Sequence, residues 1–231
     1  MLSRLLQHIG WPSQCLICRS WPSSSLCAHC VTRFTAPAPR CVSCALPVPA
    51  GVAQCGACLR QPPPIDRCLA ATSYGWPWTR CIAQFKFYNH PGLAAPLAKL
   101  MAVAPGVADT IAKADVVVPL PLSPERLAER GYNPAQLLAH HLSSQRLQID
   151  VLQRIRHAPP QHHLPRAERL KNVRGAFAVP PARHHAVCER HVVLVDDVMT
   201  TGASLYDAAR ALRQAGARYI TALVLARTDA P

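Results

Sequence analysis

Eight of the eleven cysteines fall into four pairs, Cys15-x-x-Cys18, Cys27-x-x-Cys30, Cys41-x-x-Cys44 and Cys55-x-x-Cys58, separated by eight, ten and ten residues. Each pair sets two sulfurs on a tight turn, and two such turns can close a tetrahedral shell of four thiolates, the donor set of structural zinc sites. A single pair would mean little, because redox dithiols share it; four at near-regular spacing are expected of a metal module. Either neighbouring or alternate pairs could close the shells. The neighbouring arrangement is the expected one: Cys15, Cys18, Cys27 and Cys30 on one zinc ion, Cys41, Cys44, Cys55 and Cys58 on a second. A closed four-sulfur shell leaves no open position, so both metals are expected to be structural. Cys68, Cys81 and Cys188 stand apart and read as core or surface thiols.

The second group lies near the other end of the chain, in Val192-Val193-Leu194-Val195-Asp196-Asp197-Val198-Met199-Thr200-Thr201-Gly202-Ala203-Ser204. An apolar strand is expected to end in two adjacent acids, followed by a hydroxyl-rich loop whose glycine opens a helix. Backbone N–H groups and the hydroxyls of Thr200, Thr201 and Ser204 would face one phosphate there, and a helix N-terminus favours negative charge. Two carboxylates beside a phosphate would repel it unless they face hydrogen-bond donors, and ribose hydroxyls are such donors. The Walker pattern G-x-x-x-x-G-K-[ST] is absent.

Cations form the third group. Arg126 and Arg130 are four apart on one predicted helix face, next to Tyr132. Arg154, Arg156, Arg166, Arg169, Lys171 and Arg174 cluster further on. Arginines beside an aromatic suit a pyrophosphate, or a single strand held by charge and base stacking. Phe85-Lys86-Phe87-Tyr88 reads as core aromatics bracketing one lysine. His157, His162, His163, His184 and His185 lack cysteine or acidic partners at ligand spacing and are assigned no role.

The elements that must hold these groups follow from local signals. Cys68 to Tyr74 is β-prone, and Trp78 to Phe87 and Leu93 to Val103 are helical. Ala114 to Leu122 is a buried strand. Ser123-Pro124 starts a short helix that Gly131 stops, and Asn133-Pro134 starts another over 134–142. Residues 154–190 read as loop and partial helix. Val192 to Val195 is a strand, Ser204 to Ala215 a helix ended by Gly216, and Tyr219 to Ala226 a strand. Strand, helix and strand at that spacing make a βαβ unit and hence an α/β fold with a parallel sheet. Prolines crowd the first third, and Pro62-Pro63-Pro64 marks the expected boundary between a cysteine-rich module, 1–64, and an α/β domain, 65–231.

The formal net charge is +13. Two zinc ions held by eight thiolates add four negative charges and bring it to about +9. The basic balance is compatible with nucleic acid, phosphorylated small molecules or an anionic surface. The longest charge-free stretch, Cys41 to Leu59, is broken by Pro47, Pro49 and Gly51, so no membrane insertion is expected. Met1 to Gln14 lacks a secretory pattern, and the expected compartment is the cytoplasm, where paired cysteines bind metal more often than they form disulfides.

The segment 192–204 resembles the binding motif for 5-phosphoribosyl pyrophosphate (PRPP) of type I phosphoribosyltransferases. Three further segments narrow the resemblance to the ComF/GntX family, over nearly the full length: the cysteine pairs, Arg126-x-x-x-Arg130-Gly131-Tyr132-Asn133-Pro134-Ala135-Gln136, and Pro160-Gln161 through Arg166, Arg169, Asn172, Arg174, Gly175, Ala176 and Phe177. The resemblance implies a phosphoribosyltransferase-like sheet with Asp196 and Asp197 on the ribose hydroxyls. Thr200, Thr201, Gly202, Ala203 and Ser204 would take the 5-phosphate, flanked by Val198 and Met199. Mg²⁺ would ride on the pyrophosphate, with Pro119-Leu120-Pro121 where such enzymes keep their pyrophosphate loop and Arg130 close behind. Family members are associated with natural transformation, which implies single-stranded DNA and the DNA-uptake machinery as partners and Arg166, Arg169 and Arg174 as contacts. One position departs from the purine-type pattern: Thr200 stands where those relatives carry a carboxylate general base, help commonly worth roughly 10²–10⁴ in rate. The implied activity is PRPP binding, or phosphoribosyl transfer to an acceptor that needs no such base.

Overall fold

The computed structural model describes residues 13–155 and 175–229 and divides into two compact units, Met1–Ala36 and Pro37–Pro231. In the smaller one, the turn Cys15–Cys18 is followed by Arg19 in the left-handed region (φ 64°), and Cys27 caps helix α1, Ala28–Phe34. The larger unit opens with the same device. The turn Cys41–Cys44 is followed by Ala45 at φ 55°, and Cys55 occupies the cap position of α2, Gly56–Arg60. The cysteine doublets thus repeat as a structure as well as a spacing. The compact division after Ala36 assigns the second repeat to the larger unit, whereas the compositional boundary near residue 64 marks where the cysteine pairs end.

The larger unit is built on a four-stranded parallel sheet in the order β1-β6-β5-β2, with β1 Arg67–Ser73, β2 Val116–Pro119, β5 His191–Met199 and β6 Tyr219–Arg227. Val192 to Val195 and Ile220 to Ala226 are buried, as strands covered on both faces must be. Helices α3 Trp78–Phe87, α4 Ala94–Ala102, α6 Pro124–Arg130 and α7 Pro134–Leu142 fall close to their expected spans. The caps form as the sequence predicts. Ser123 Oγ accepts from the Arg126 N–H at 3.4 Å and Asn133 Oδ1 from the Ala135 N–H at 3.0 Å, while Gly131 ends α6 at φ 76°. The short helix α5, Val107–Lys113, is additional.

Helix α8, Ala203–Gln214, connects β5 to β6 and buries Leu205, Ala208, Ala209 and Leu212, one helical stripe. The region expected as loop and partial helix contains a small antiparallel pair, β3 Gln153–Arg154 with β4 Phe177–Ala178, and a 3₁₀ turn, Pro181–Ala186. Asp207 on α8 anchors β4: its carboxylate accepts from the N–H groups of Gly175 (2.9 Å), Ala176 (2.8 Å) and Phe177 (3.3 Å). Arg156, Arg166, Arg169, Lys171, Arg174 and the motif residues Pro160 to Asn172 lie outside the described residues.

No single helix among the described residues is long and apolar enough to cross a membrane.

Candidate phosphate and metal sites

Strand β5 runs further than its apolar residues alone suggest. Its pairing with β6 continues from Val192↔Ile220 through Asp196↔Val224 to Met199↔Arg227, so both acids lie inside the ladder instead of beyond its end. Successive strand residues face opposite sides, and the two carboxylates therefore meet different neighbours. Beyond Met199 the chain turns through Thr200 and Thr201 to Gly202 at φ 82° and enters α8. A cavity of about 220 Å³ opens over this turn, lined by Arg126, Asp196 and residues 198–205. It sits at the carboxyl ends of adjacent parallel strands, where open α/β sheets bind ligands. Ala203 N–H donates to Thr201 Oγ1 at 3.3 Å, which ties the hydroxyl turn to the first turn of the helix.

Asp196 lines the cavity. Burial of its carboxyl, then the charge of Asp197, push its pKa up to about 8, against the opposing pull of Lys86, the Asp197 N–H and Arg130. The residue keeps partial surface exposure because one edge opens into the cavity; the loss of water around the carboxyl is what the shift reflects. Asp197, buried, takes an ion pair from Lys86, whose Nζ lies 2.8 Å from Oδ1. Lys86 comes from the last turn of α3, where the sequence showed only one lysine bracketed by aromatics. Phe85 is fully buried there, under Tyr132, whose hydroxyl donates to the Phe85 carbonyl. Phe87 and Tyr88 correct the expectation of core aromatics: each is 68% exposed. The buried face of α3 carries Trp78, Cys81, Ile82 and Phe85 at helical spacing, and Phe87 and Tyr88 at its end fall off that face.

Of the two arginines on α6, Arg126 reaches the cavity lining, while the Arg130 guanidinium lies 5.3 Å from the Phe87 ring centre. Pro119-Leu120-Pro121 begins on the last residue of β2, which pairs with Val195 of β5. Leu120 N–H donates to the Val195 carbonyl at 2.8 Å and Asn133 Nδ2 to the Leu120 carbonyl at 3.0 Å, but the three are not among the lining residues. Arg227 at the end of β6 and Tyr206 on α8, neither singled out by the sequence, both pack against the turn. A charged residue closing an otherwise apolar strand was the one available signal for Arg227.

The cysteines assemble into the neighbouring quartets. The ligand atoms of Cys15, Cys18, Cys27 and Cys30 all lie within 4.8 Å of one another, as do those of Cys41, Cys44, Cys55 and Cys58. A zinc tetrahedron with Zn–S of about 2.3 Å has S···S edges of about 3.8 Å. The Cys18–Cys27 and Cys44–Cys55 sulfurs are each 3.7 Å apart, so the donor sets fit the ion. Backbone N–H groups of Cys27 and Cys30 point at the sulfurs of Cys15 and Cys27 at 3.5 and 3.4 Å, stabilising thiolate charge. Cys68 is buried, its pKa pushed up to about 12 chiefly by burial, with Sγ 3.7 Å from Met199 Sδ; Cys81 is buried and Cys188 exposed. Elemental analysis of the purified protein is expected to give two zinc ions per chain, and Cys18→Ser and Cys55→Ser should each lower the count by one. Iron, or a folded sample without metal, would contradict this.

A parallel sheet whose inner strand carries adjacent acids into a hydroxyl-rich, glycine-hinged turn is the arrangement of a phosphoribosyltransferase-type domain. The profile of the family described as phosphoribosyl transferase domain matches residues 113–231. The chain is 31% identical to the DNA utilization protein YhgH of Salmonella typhimurium over 94% of its own length and 98% of that protein's. It is 31% identical to competence protein F of Haemophilus influenzae, over 93% and 96%. Competence protein ComFC of Bacillus subtilis matches at 35% identity over 44% of this chain and 39% of that one. The chain belongs to the ComF family of phosphoribosyltransferase-like proteins.

Proposed function

We propose that this protein binds PRPP with Mg²⁺ in the β5–α8 cavity and binds single-stranded DNA, acting in the cytoplasm in the handling of incoming DNA. The observation that carries the reading is the cavity itself. Asp196, the Thr200–Ser204 turn and the first turn of α8 line it together, so that hydroxyl donors and a terminal phosphate of one sugar phosphate would meet complementary groups. In this reading Asp196 serves the ribose hydroxyls from the cavity, Asp197 stands next to it in the chain in an ion pair with Lys86, and Arg126 supplies positive charge at the phosphate end. Mg²⁺, carried on the pyrophosphate, would neutralise the leaving group's charge. The names of the relatives, DNA utilization and competence proteins, support the DNA role. So does the excess of basic residues, together with the exposed Phe87 and Tyr88 beside Lys86 and Arg130, since cations with open aromatic faces suit single strands. A second reading is phosphoribosyl transfer to a base-like acceptor without a DNA role. Thr200 offers no carboxylate to deprotonate a nucleobase, so that acceptor would be one already anionic.

Fluorescence anisotropy with an oligodeoxynucleotide across a salt series tests the DNA role. Micromolar or tighter binding is expected, with log K falling by about 3–4 per decade of salt if four to six phosphates are engaged. Replacing Arg166, Arg169 and Arg174 together by Ala should flatten that slope by about two units, with PRPP binding retained. No binding at low salt would leave the small-molecule transferase as the better reading.

A further inference from the structure

Arg227 closes β6 and is 5% exposed. It forms no ion pair with a carboxylate among the described residues, so its buried charge depends on hydrogen bonds and on whatever negative charge lies close. Its Nε donates to the Cys44 carbonyl at 2.9 Å. Its Nη1 donates to the carbonyls of Met199 at 3.2 Å and Thr200 at 2.6 Å, and to Thr228 at the carbonyl and hydroxyl. One rigid guanidinium thus joins the knuckle turn of the second cysteine quartet to the first residues of the phosphate turn. Arginine suits this task because its donors form a fixed planar fork, which lysine's single ammonium cannot reproduce.

Two further contacts run along the same line. The Tyr206 ring occupies the space that a side chain at Gly202 would need, and it packs on the core cluster that contains Cys41, Cys44 and Cys58. Cys68, in that same cluster, touches Met199 through sulfur at 3.7 Å. A zinc ion held by four thiolates carries a net charge of about −2, which would offset the guanidinium beside it. Without the metal the Cys44 turn loses its crosslink.

We propose that Arg227 is a positioning residue that makes the second quartet a structural part of the phosphate turn: metal at Cys41, Cys44, Cys55 and Cys58 fixes the Cys44 carbonyl, and Arg227 transmits that fixity to Met199 and Thr200. The first quartet lies in the other compact unit. The consequence for ligand binding rests on the reading of the turn as the 5-phosphate site; the positioning itself does not.

The test uses the full chain with two readouts, hydrogen exchange of the 199–205 amides and calorimetry with Mg²⁺ and PRPP. Cys18→Ser should lose one zinc and leave loop exchange and affinity within twofold of wild type. Cys55→Ser should lose one zinc, speed loop exchange at least tenfold and weaken PRPP at least tenfold. Arg227→Met should keep both zinc ions and reproduce the loop effect, and Arg227→Lys should rescue it only in part. A loop as protected in Cys55→Ser or in folded Arg227→Met as in wild type overturns the proposal. Should Arg227→Met fail to fold, the Cys18→Ser variant, loaded only at the second site, decides the matter. Chelation that releases its zinc must speed loop exchange before the rest of the sheet opens, and unchanged exchange overturns the link. A wild-type protein that binds no PRPP would defeat the ligand reading and still leave the exchange data to judge Arg227.

Discussion

Gly202→Ala is expected to destabilise the protein by about 3–4 kcal/mol and, if the turn holds a phosphate as proposed, to abolish its binding, for two separable reasons. The first is conformational: at φ 82° an L-residue with a Cβ costs about 1–2 kcal/mol. The second is steric. A Cβ at this position would stand 2.6 Å from Met199 Cε and 2.7 Å from Tyr206 Cζ. The methionine can swing aside, but the tyrosine ring is held on the second cysteine quartet's cluster, so the turn must move instead. Gly131→Ala separates the two contributions. Gly131 has nearly the same φ, 76°, but nothing within 4 Å of a built Cβ, so it should show the conformational cost alone. For a unit of this size each kcal/mol shifts the melting temperature by about 2–4 °C. The expected falls are therefore about 6–16 °C for Gly202→Ala and about 2–8 °C for Gly131→Ala. Equal shifts for the two variants would mean that the contact with Tyr206 does not constrain the turn.

What the sequence made legible is what local chemistry controls. The helix starts at Ser123-Pro124 and Asn133-Pro134 and the stop at Gly131 depend on residues within four positions of one another, and all three form as read. The quartets were legible because two turns of fixed spacing leave few ways to close a tetrahedron. The strand order β1-β6-β5-β2 was not, since nothing local in Cys68 to Tyr74 says that it pairs with the last strand of the chain. The extent of β5 was misread for the same reason. Asp196 and Asp197 look like an end signal, yet β6 continues opposite them to Arg227 and holds them in the ladder. The two side-chain links that organise the site join residues far apart in sequence. Lys86 and Asp197 are separated by 111 positions, and Arg227 and Cys44 by 183. Such partners follow from register and packing, which composition and periodicity do not encode.

If the cavity binds PRPP as proposed, the elevated Asp196 carboxyl moves the pH dependence of ligand binding into the neutral range, where an ordinary carboxylate shows none. With its pKa near 8, raised by burial and by Asp197, most of the population is protonated at pH 7. A ribose hydroxyl donates more strongly to the ionised form, because the charge-assisted bond is the stronger one, so tight binding favours loss of the proton. PRPP affinity is then expected to climb about ninefold from pH 6 to 7 and about fivefold from pH 7 to 8, roughly 50-fold in all, and to level off above. The ligand's own phosphates titrate near pH 6, and Asp196→Asn isolates the protein's share, because that variant keeps the ligand's titration and loses the slope above it. Stability moves the other way. The folded-state pKa lies above the unfolded one, so the native state holds the extra proton between about pH 4 and 8, and the stability that proton confers is lost as pH rises through that window. The groups facing Asp196 fit this balance: Asp197 raises it, Lys86 and Arg130 lower it, and Arg126 shares the cavity. Calorimetry in buffers of different ionisation enthalpy should record close to one proton released per PRPP bound at pH 7, and almost none for Asp196→Asn. Proton release that is the same in both proteins, or affinity that falls as pH rises, would remove Asp196 from the ribose site and leave Asp197, paired with Lys86, as the acid that serves it.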